Sequence, residues 1–150
     1  MRPCSFFIML IISLAYFSAS ALDETKIGNS PEAYTRTNAQ NYKDMLLSWC
    51  ISSAYENEPL ASRDAGSTGS ALVEWTYYDA ENSTDAINSL LKRYLSRNYK
   101  NPLVEYQDVK FGLLKCLDMY HSKELDTQVK RFVLKPNKTY LQANPPKALQ

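Results

Sequence analysis

The chain has 150 residues, 45% of them hydrophobic and 22% charged, and its 17 basic and 16 acidic side chains leave a net charge of +1. That balance excludes a broad basic field for nucleic acid or anionic membrane, and an acidic field for basic partners. Three cysteines and one histidine leave little material for a metal centre or a nucleophilic active site.

The first element is a leader. Arg2 supplies a short basic region, Phe6 to Phe17 is apolar except for Ser13, and Ser18-Ala19-Ser20-Ala21 places small residues where a signal peptidase reads. The pattern predicts export with a cut after Ala21. An uncleaved membrane anchor is the alternative, but an apolar run of about 12 residues falls short of the roughly 20 that span a bilayer. Cys4 precedes the run, whereas a lipoprotein cysteine would follow it. The expected mature chain, Leu22 to Gln150, fits one domain, and loss of Arg2 brings its basic residues down to its 16 acidic ones. Cys50 and Cys116 then remain. In an exported protein such a pair is a disulfide candidate; two buried thiols acting as small hydrophobes are the other reading.

Residues 22–37 read as a loose lead-in, 38–134 as a helical domain and 135–150 as a tail with three prolines, because the prolines fall between the periodic segments and not within them. The first predicted helix runs from about Asn38 to Tyr55, with Tyr42, Met45, Leu46, Trp49, Cys50 and Ser53 at helical spacing. The second, about Leu60 to Asp79, carries Ala61, Ala65, Gly66, Gly69 and Ser70 before Leu72, Val73 and Trp75, a set of small residues that suits a close helix crossing. Asn82 or Ser83 caps the third, whose stripe is Ile87, Leu90, Leu91, Tyr94 and Leu95 and whose end carries Lys92, Arg93 and Arg97. The fourth, about Val109 to Tyr120, presents Leu113, Cys116, Leu117 and Tyr120; Ser122 caps a fifth with Leu125, Val129, Phe132 and Val133. The expected fold is all-α, a compact single-domain bundle of about five helices. Tyr99 to Asp108 is the exception, apolar without period and longer than most helix-to-helix links; it is either a functional loop or filler for a gap in the core.

The chemistry is sparse. His121 is the one possible base for a cysteine nucleophile, yet both cysteines sit on apolar stripes. No spacing of Cys, His or acidic residues matches a zinc or calcium site. Glu74, Asp79, Glu81, Glu105, Asp108 and Asp118 are available to a two-carboxylate hydrolase, but their spacing specifies nothing and polar helix faces account for them. Tyr99 and Tyr106, in the aperiodic segment, are the best recognition residues on chemistry alone.

Three blocks carry a resemblance: Ala71-Leu72-Val73-Glu74-Trp75-Thr76-Tyr77-Tyr78-Asp79, Asn101-Pro102-Leu103-Val104-Glu105-Tyr106 and Leu114-Lys115-Cys116-Leu117-Asp118-Met119-Tyr120-His121-Ser122. In this order, within about Asn41 to Phe132, they resemble the amidase immunity proteins of bacterial type VI secretion. The resemblance implies an all-helical periplasmic protein with no catalytic activity and no cofactor or metal. Its partner would be a papain-like amidase that cuts peptidoglycan stems between D-glutamate and diaminopimelate. It also implies a homodimer, with a loop of one protomer entering the amidase cleft and a helix of the other adding contacts. By helix order the loop matches Tyr99 to Asp108 and the helix Ser83 to Arg97. The candidate partner-binding residues are therefore Tyr99, Asn101, Leu103, Glu105, Tyr106, Gln107 and Asp108 on the loop, with Lys92, Arg93 and Arg97 on the helix.

Two rivals stay open at this level. A secreted signalling or adhesion module would share the leader and helices, and its sequons Asn82-Ser83-Thr84 and Asn137-Lys138-Thr139 would carry sugar; a carboxylate-dependent cell-wall hydrolase would turn over peptidoglycan. The leader itself is directly testable: N-terminal sequencing of the exported protein is expected to begin at Leu22, and a full-length cytoplasmic chain would refute export.

Overall fold

The computed structural model describes residues 31–100 and 109–145. The predicted leader, residues 22–30 of the lead-in, the segment 101–108 and the last five residues lie outside the described part. Within it a 3-10 helix, Glu32–Thr35, precedes α1 (Asn38–Ala54), α2 (Pro59–Val73), α3 (Ala80–Leu95), α4 (Gly112–Tyr120), α5 (Lys123–Phe132) and the short α6 (Tyr140–Ala143). This is an all-α bundle. Among the described residues no helix is long and apolar enough to cross a membrane.

Helix α1 is the central rod and touches each of α2, α3, α4 and α5. A capping box starts it: the Thr37 hydroxyl accepts from the Gln40 N–H, and the Gln40 side chain accepts from the Thr37 N–H. Its stripe buries Tyr42, Met45, Leu46 and Cys50 completely. The Tyr42 hydroxyl donates to Gln128 Oε1 at 3.3 Å, and Gln128 Nε2 in turn donates to the Ala86 carbonyl at 2.8 Å, which links α1, α5 and α3. Burial pushes the Tyr42 hydroxyl well above the ordinary tyrosine pKa.

The small residues of α2 serve a close crossing with α1. Ser52 Oγ donates to the Ser62 carbonyl at 2.8 Å and Ser62 Oγ returns a bond to the Ser52 carbonyl at 3.0 Å. Further along, a Cβ on Gly69 would lie 2.4 Å from Cδ1 and Nε1 of Trp49, so the indole occupies the space that a side chain would need. Helix α2 ends at Val73, six residues before the predicted end. The cause is a set of side chains that bind the backbone beyond it: Asn41 Nδ2 donates to the Trp75 carbonyl at 3.1 Å, and Asn38 Oδ1 accepts from the Tyr77 N–H at 3.0 Å. Tyr78 then pairs with Val133, with Asp79 N donating to the Phe132 carbonyl and Leu134 N to the Tyr77 carbonyl.

Asp79 caps α3, in place of the predicted Asn82 or Ser83. Its carboxylate accepts from both the Asn82 amide side chain and the Asn82 N–H, which hold its pKa below the usual value. Ile87, Leu90, Leu91 and Tyr94 are buried as expected, and Leu95 packs at the edge of the core.

Helix α4 is shorter than predicted, because Phe111 adopts a left-handed conformation (φ 51°) and the helix begins at Gly112. A Cβ on Gly112 would meet the Ala54 Cβ at 3.0 Å. The buried arc of α4 runs through Lys115, Cys116 and Met119. At about 100° per residue Leu113 and Leu117 lie roughly 60° and 100° beyond the Cys116 edge of this arc, and at 45% and 38% exposed they do not join the stripe expected of them. Cys116 is bonded to Cys50, so a disulfide ties α4 to α1. The bond closes a loop of 66 residues, for which loop-closure entropy gives an upper value of roughly 4 kcal/mol. Ser122 caps α5 by accepting from the Leu125 N–H, as predicted.

The chain after α5 folds back over the start of α1. The Lys138 and Pro136 carbonyls accept from the N–H groups of Asn38 and Ala39, Thr139 pairs with Thr37, and the Tyr140 ring stacks on Tyr77. The close approach of Trp49 to Gly69 provides the test of this packing. Gly69→Ala is expected to lower stability by about 1–3 kcal/mol through forced displacement of Trp49, read as a lower urea midpoint with an unchanged slope.

Candidate functional site

The candidate surface gathers around the C-terminal end of α3 and the outer side of α4. Of the residues singled out by sequence, Lys92, Arg93, Arg97 and Tyr99 are described, whereas Asn101, Leu103, Glu105, Tyr106, Gln107 and Asp108 lie outside the described residues. Lys92 and Arg93 stand in the last turn of α3, where the helix dipole favours cations. Lys92 is exposed. Arg93 Nη1 reaches Glu124 Oε1 on α5 at 2.6 Å, a pair more than 40% exposed on both sides and so of small energetic weight. Arg97 turns back, its guanidinium 3.5 Å above the Tyr94 ring.

Tyr99 is half-buried, and its hydroxyl donates to Asp118 Oδ2 on α4. That bond raises the tyrosine pKa, while Arg97 beside the same hydroxyl acts in the opposite direction. One turn earlier on α4, the buried Lys115 sends Nζ to the Leu95 carbonyl at 3.1 Å, with the same nitrogen 5.8 Å from the Tyr99 ring. Lys115 thus satisfies one of the orphan carbonyls at the end of α3.

On the far side of α4, Val109, Leu113, Leu114 and Leu117 are all at least 38% exposed. With Ala54, Tyr55, Asn57, Glu58, Lys110 and Phe111 they line an open groove of about 760 Å³. Sequence reasoning missed both sides of this helix. The signal for the apolar side was present in Leu113-Leu114-Lys115-Cys116-Leu117, which holds more large apolar residues than one inward face can use. Asp118 and Lys115 carried no signal as a pair, since charged residues on a short helix read as solvated.

The cysteines are joined, and the exposed His121 packs edge-on to Tyr120 at 5.1 Å. Among the described residues no three His, Cys, Asp or Glu side chains converge as metal ligands would. The polar groups that do meet, Arg97, Tyr99, Lys115 and Asp118, join secondary-structure elements to one another.

Residues 40–129 match the family model of type VI secretion system amidase immunity proteins. A structure from a study of new type VI-secreted toxins and self-resistance proteins in Serratia marcescens superimposes with a TM-score of 0.66 at 30% identity, covering 77% of this chain and 92% of that one. A chain of the Tae4/Tai4 effector–immunity system from Salmonella typhimurium superimposes with a TM-score of 0.59 at 24% identity, covering 68% and 95%, and shares the fold. No curated protein matches the chain. None of these likenesses supports a signalling or adhesion module, or a cell-wall hydrolase.

Proposed function

Since the chain belongs to the family of type VI secretion system amidase immunity proteins, we propose that it works in the periplasm as a non-catalytic inhibitor that plugs the cleft of a papain-like peptidoglycan amidase. The observation that carries this reading is the family match over residues 40–129, which takes in α3, the segment between α3 and α4, and α4 itself. Export is supported by the leader at residues 1–21 and by the Cys50–Cys116 disulfide, which belongs in an oxidising compartment. The target bond is the D-glutamate–diaminopimelate linkage of the peptide stem.

The segment Tyr99 to Asp108 is the plug, with Tyr106 as its main anchor and Leu103, Glu105, Asn101, Gln107 and Asp108 around it. A cysteine at the bottom of a cleft cuts only a peptide that approaches its sulfur closely, so a wedged loop stops turnover without any chemistry of its own. Lys92, Arg93 and Arg97 of a second protomer add contacts. The homodimer this needs is supported by the exposed apolar ridge Val109, Leu113, Leu114 and Leu117. Glu58 and Lys110 flank that groove with opposite charges, a self-complementary arrangement that a two-fold axis can pair.

Two measurements check these statements. Tyr106→Ala is expected to keep the helical circular-dichroism spectrum and to weaken inhibition of the cognate amidase about 30-fold or more, while Lys130→Ala on exposed α5 leaves inhibition unchanged; equal inhibition by both variants would move the plug elsewhere. Light scattering of the mature protein is expected to give about twice the monomer mass, and Leu113→Glu with Leu117→Glu to return it to the monomer. A monomer both free and amidase-bound would remove the second protomer from the mechanism.

A further inference from the structure

We propose that Tyr99 and Asp118 form a clamp that sets the direction in which the chain leaves α3, so that Tyr99 is a positioning residue for inhibition and does not itself touch the amidase. The proposal rests on the plug reading above for its functional part, and on geometry alone for the clamp.

Three bonds from one short helix converge here. Lys115 Nζ holds the Leu95 carbonyl at the end of α3, Asp118 Oδ2 accepts the Tyr99 hydroxyl, and Cys116 between them is bonded to Cys50 on α1. Residues three apart on a helix share a face, so Lys115 and Asp118 grip the same stretch of chain, 95–99, from one side. The other end of the connection returns to the same helix. Phe111 is its N-cap in a left-handed conformation, and Gly112 fits against Ala54. Both ends of 100–110 are therefore referred to α4, which the disulfide refers to the central rod.

The hydroxyl of Tyr99 is committed within its own chain, and Arg97, beside that hydroxyl, lies over the Tyr94 ring. A residue bonded in this way offers a partner little beyond the edge of its ring. Its effect on binding is of a different kind: fixing the start of a binding segment before encounter removes part of the ordering cost of association. Where only a fraction of the molecules presents the competent arrangement, apparent affinity falls by that fraction and the loss appears in the association rate. An exposed Asp118 bonded to a half-buried tyrosine adds little to global stability, so the two roles separate experimentally.

The test uses the full mature protein against an amidase that the unaltered protein inhibits. Tyr99→Phe and Asp118→Ala are each expected to weaken inhibition about five- to tenfold, mainly by slower association, with the thermal midpoint shifted by less than about 2 °C. The double variant should be no weaker than either single one, because both remove the same bond. Asp118→Asn, whose amide oxygen accepts that bond, should stay within about twofold of the unaltered protein. Losses that multiply in the double variant would make Tyr99 a direct contact and overturn the proposal. Unchanged inhibition in both single variants, or a fall in thermal midpoint of about 5 °C or more that accompanies the loss, would overturn it equally. Amide hydrogen exchange at residues 96–100 reads the clamp without any amidase: about tenfold faster exchange in Tyr99→Phe and Asp118→Ala is expected, and unchanged exchange would refute the clamp. If exchange quickens as expected but the unaltered protein inhibits no peptidoglycan amidase, the clamp stands and the plug reading falls.

Discussion

The side-chain amide of Asn38 is the interaction on which the rest of this fold depends. It is completely buried, and its two ends reach two different stretches of backbone: Oδ1 accepts from Tyr77 N–H, and Nδ2 donates to the carbonyls of Leu134 and Lys135. One residue at the first turn of α1 thereby ties the link between α2 and α3 to the chain that follows α5. Those two stretches pair with each other through Tyr78 and Val133, and the chain beyond them supplies the carbonyls that receive the free N–H groups at the start of α1. A buried amide without such partners costs about 1–3 kcal/mol per orphaned group. The satisfied one instead selects a single relation among three segments. Asn41, one turn on, repeats the device, donating to the carbonyls of Ala33 and Trp75.

The other end of α1 is held by a different chemistry. There the Cys50–Cys116 bond and the packing of Gly112 against Ala54 attach α4. This helix has only nine residues, and its three leucines are exposed, so its apolar contact with the core comes chiefly through Cys116 and Met119. A covalent link and a buried lysine do for α4 what a longer hydrophobic stripe does for α3. The division leaves the outer face of α4 available for a partner, which a fully amphipathic helix would have spent on its own core.

The helices were legible in the sequence where a single apolar stripe decides them. Tyr42, Met45, Leu46 and Cys50 on α1, and Ile87, Leu90, Leu91 and Tyr94 on α3, are buried as their spacing requires. Periodicity overran α2 because the apolar residues Val73, Trp75 and Tyr78 continue past the point where Asn38 and Asn41 claim the backbone, and bonds from residues over thirty positions away leave no trace in a local window. The cap of α3 was misplaced by a few residues for a related reason: Asp79, Asn82 and Ser83 are all competent caps, and Asp79 begins the helix because its backbone is already fixed by pairing with α5. On α4 the pattern held more leucines than faces, and burial of Lys115 through its bond to Leu95 decided which side turned inward. The candidate site divides in the same way. Its cations and Tyr99 could be chosen by position and residue type, whereas the partnership of Tyr99 with Asp118 needed the chain beyond α3 to be set beside α4.

The disulfide has a consequence for biogenesis. The three cysteines of the full chain allow three different single bridges, whereas the proposed cleavage after Ala21 would remove Cys4 and leave Cys50 and Cys116 with one possible pairing. No wrong bridge is then available within one mature chain. Such a protein needs an oxidant in the compartment that receives it but no isomerase to correct it. On the proposed export route the order of emergence would be harmless as well: Cys50 would cross first and wait as a lone thiol until the 66th residue after it arrives. A cell that needs protection from the moment of the proposed export would gain from a maturation route with a single oxidative step.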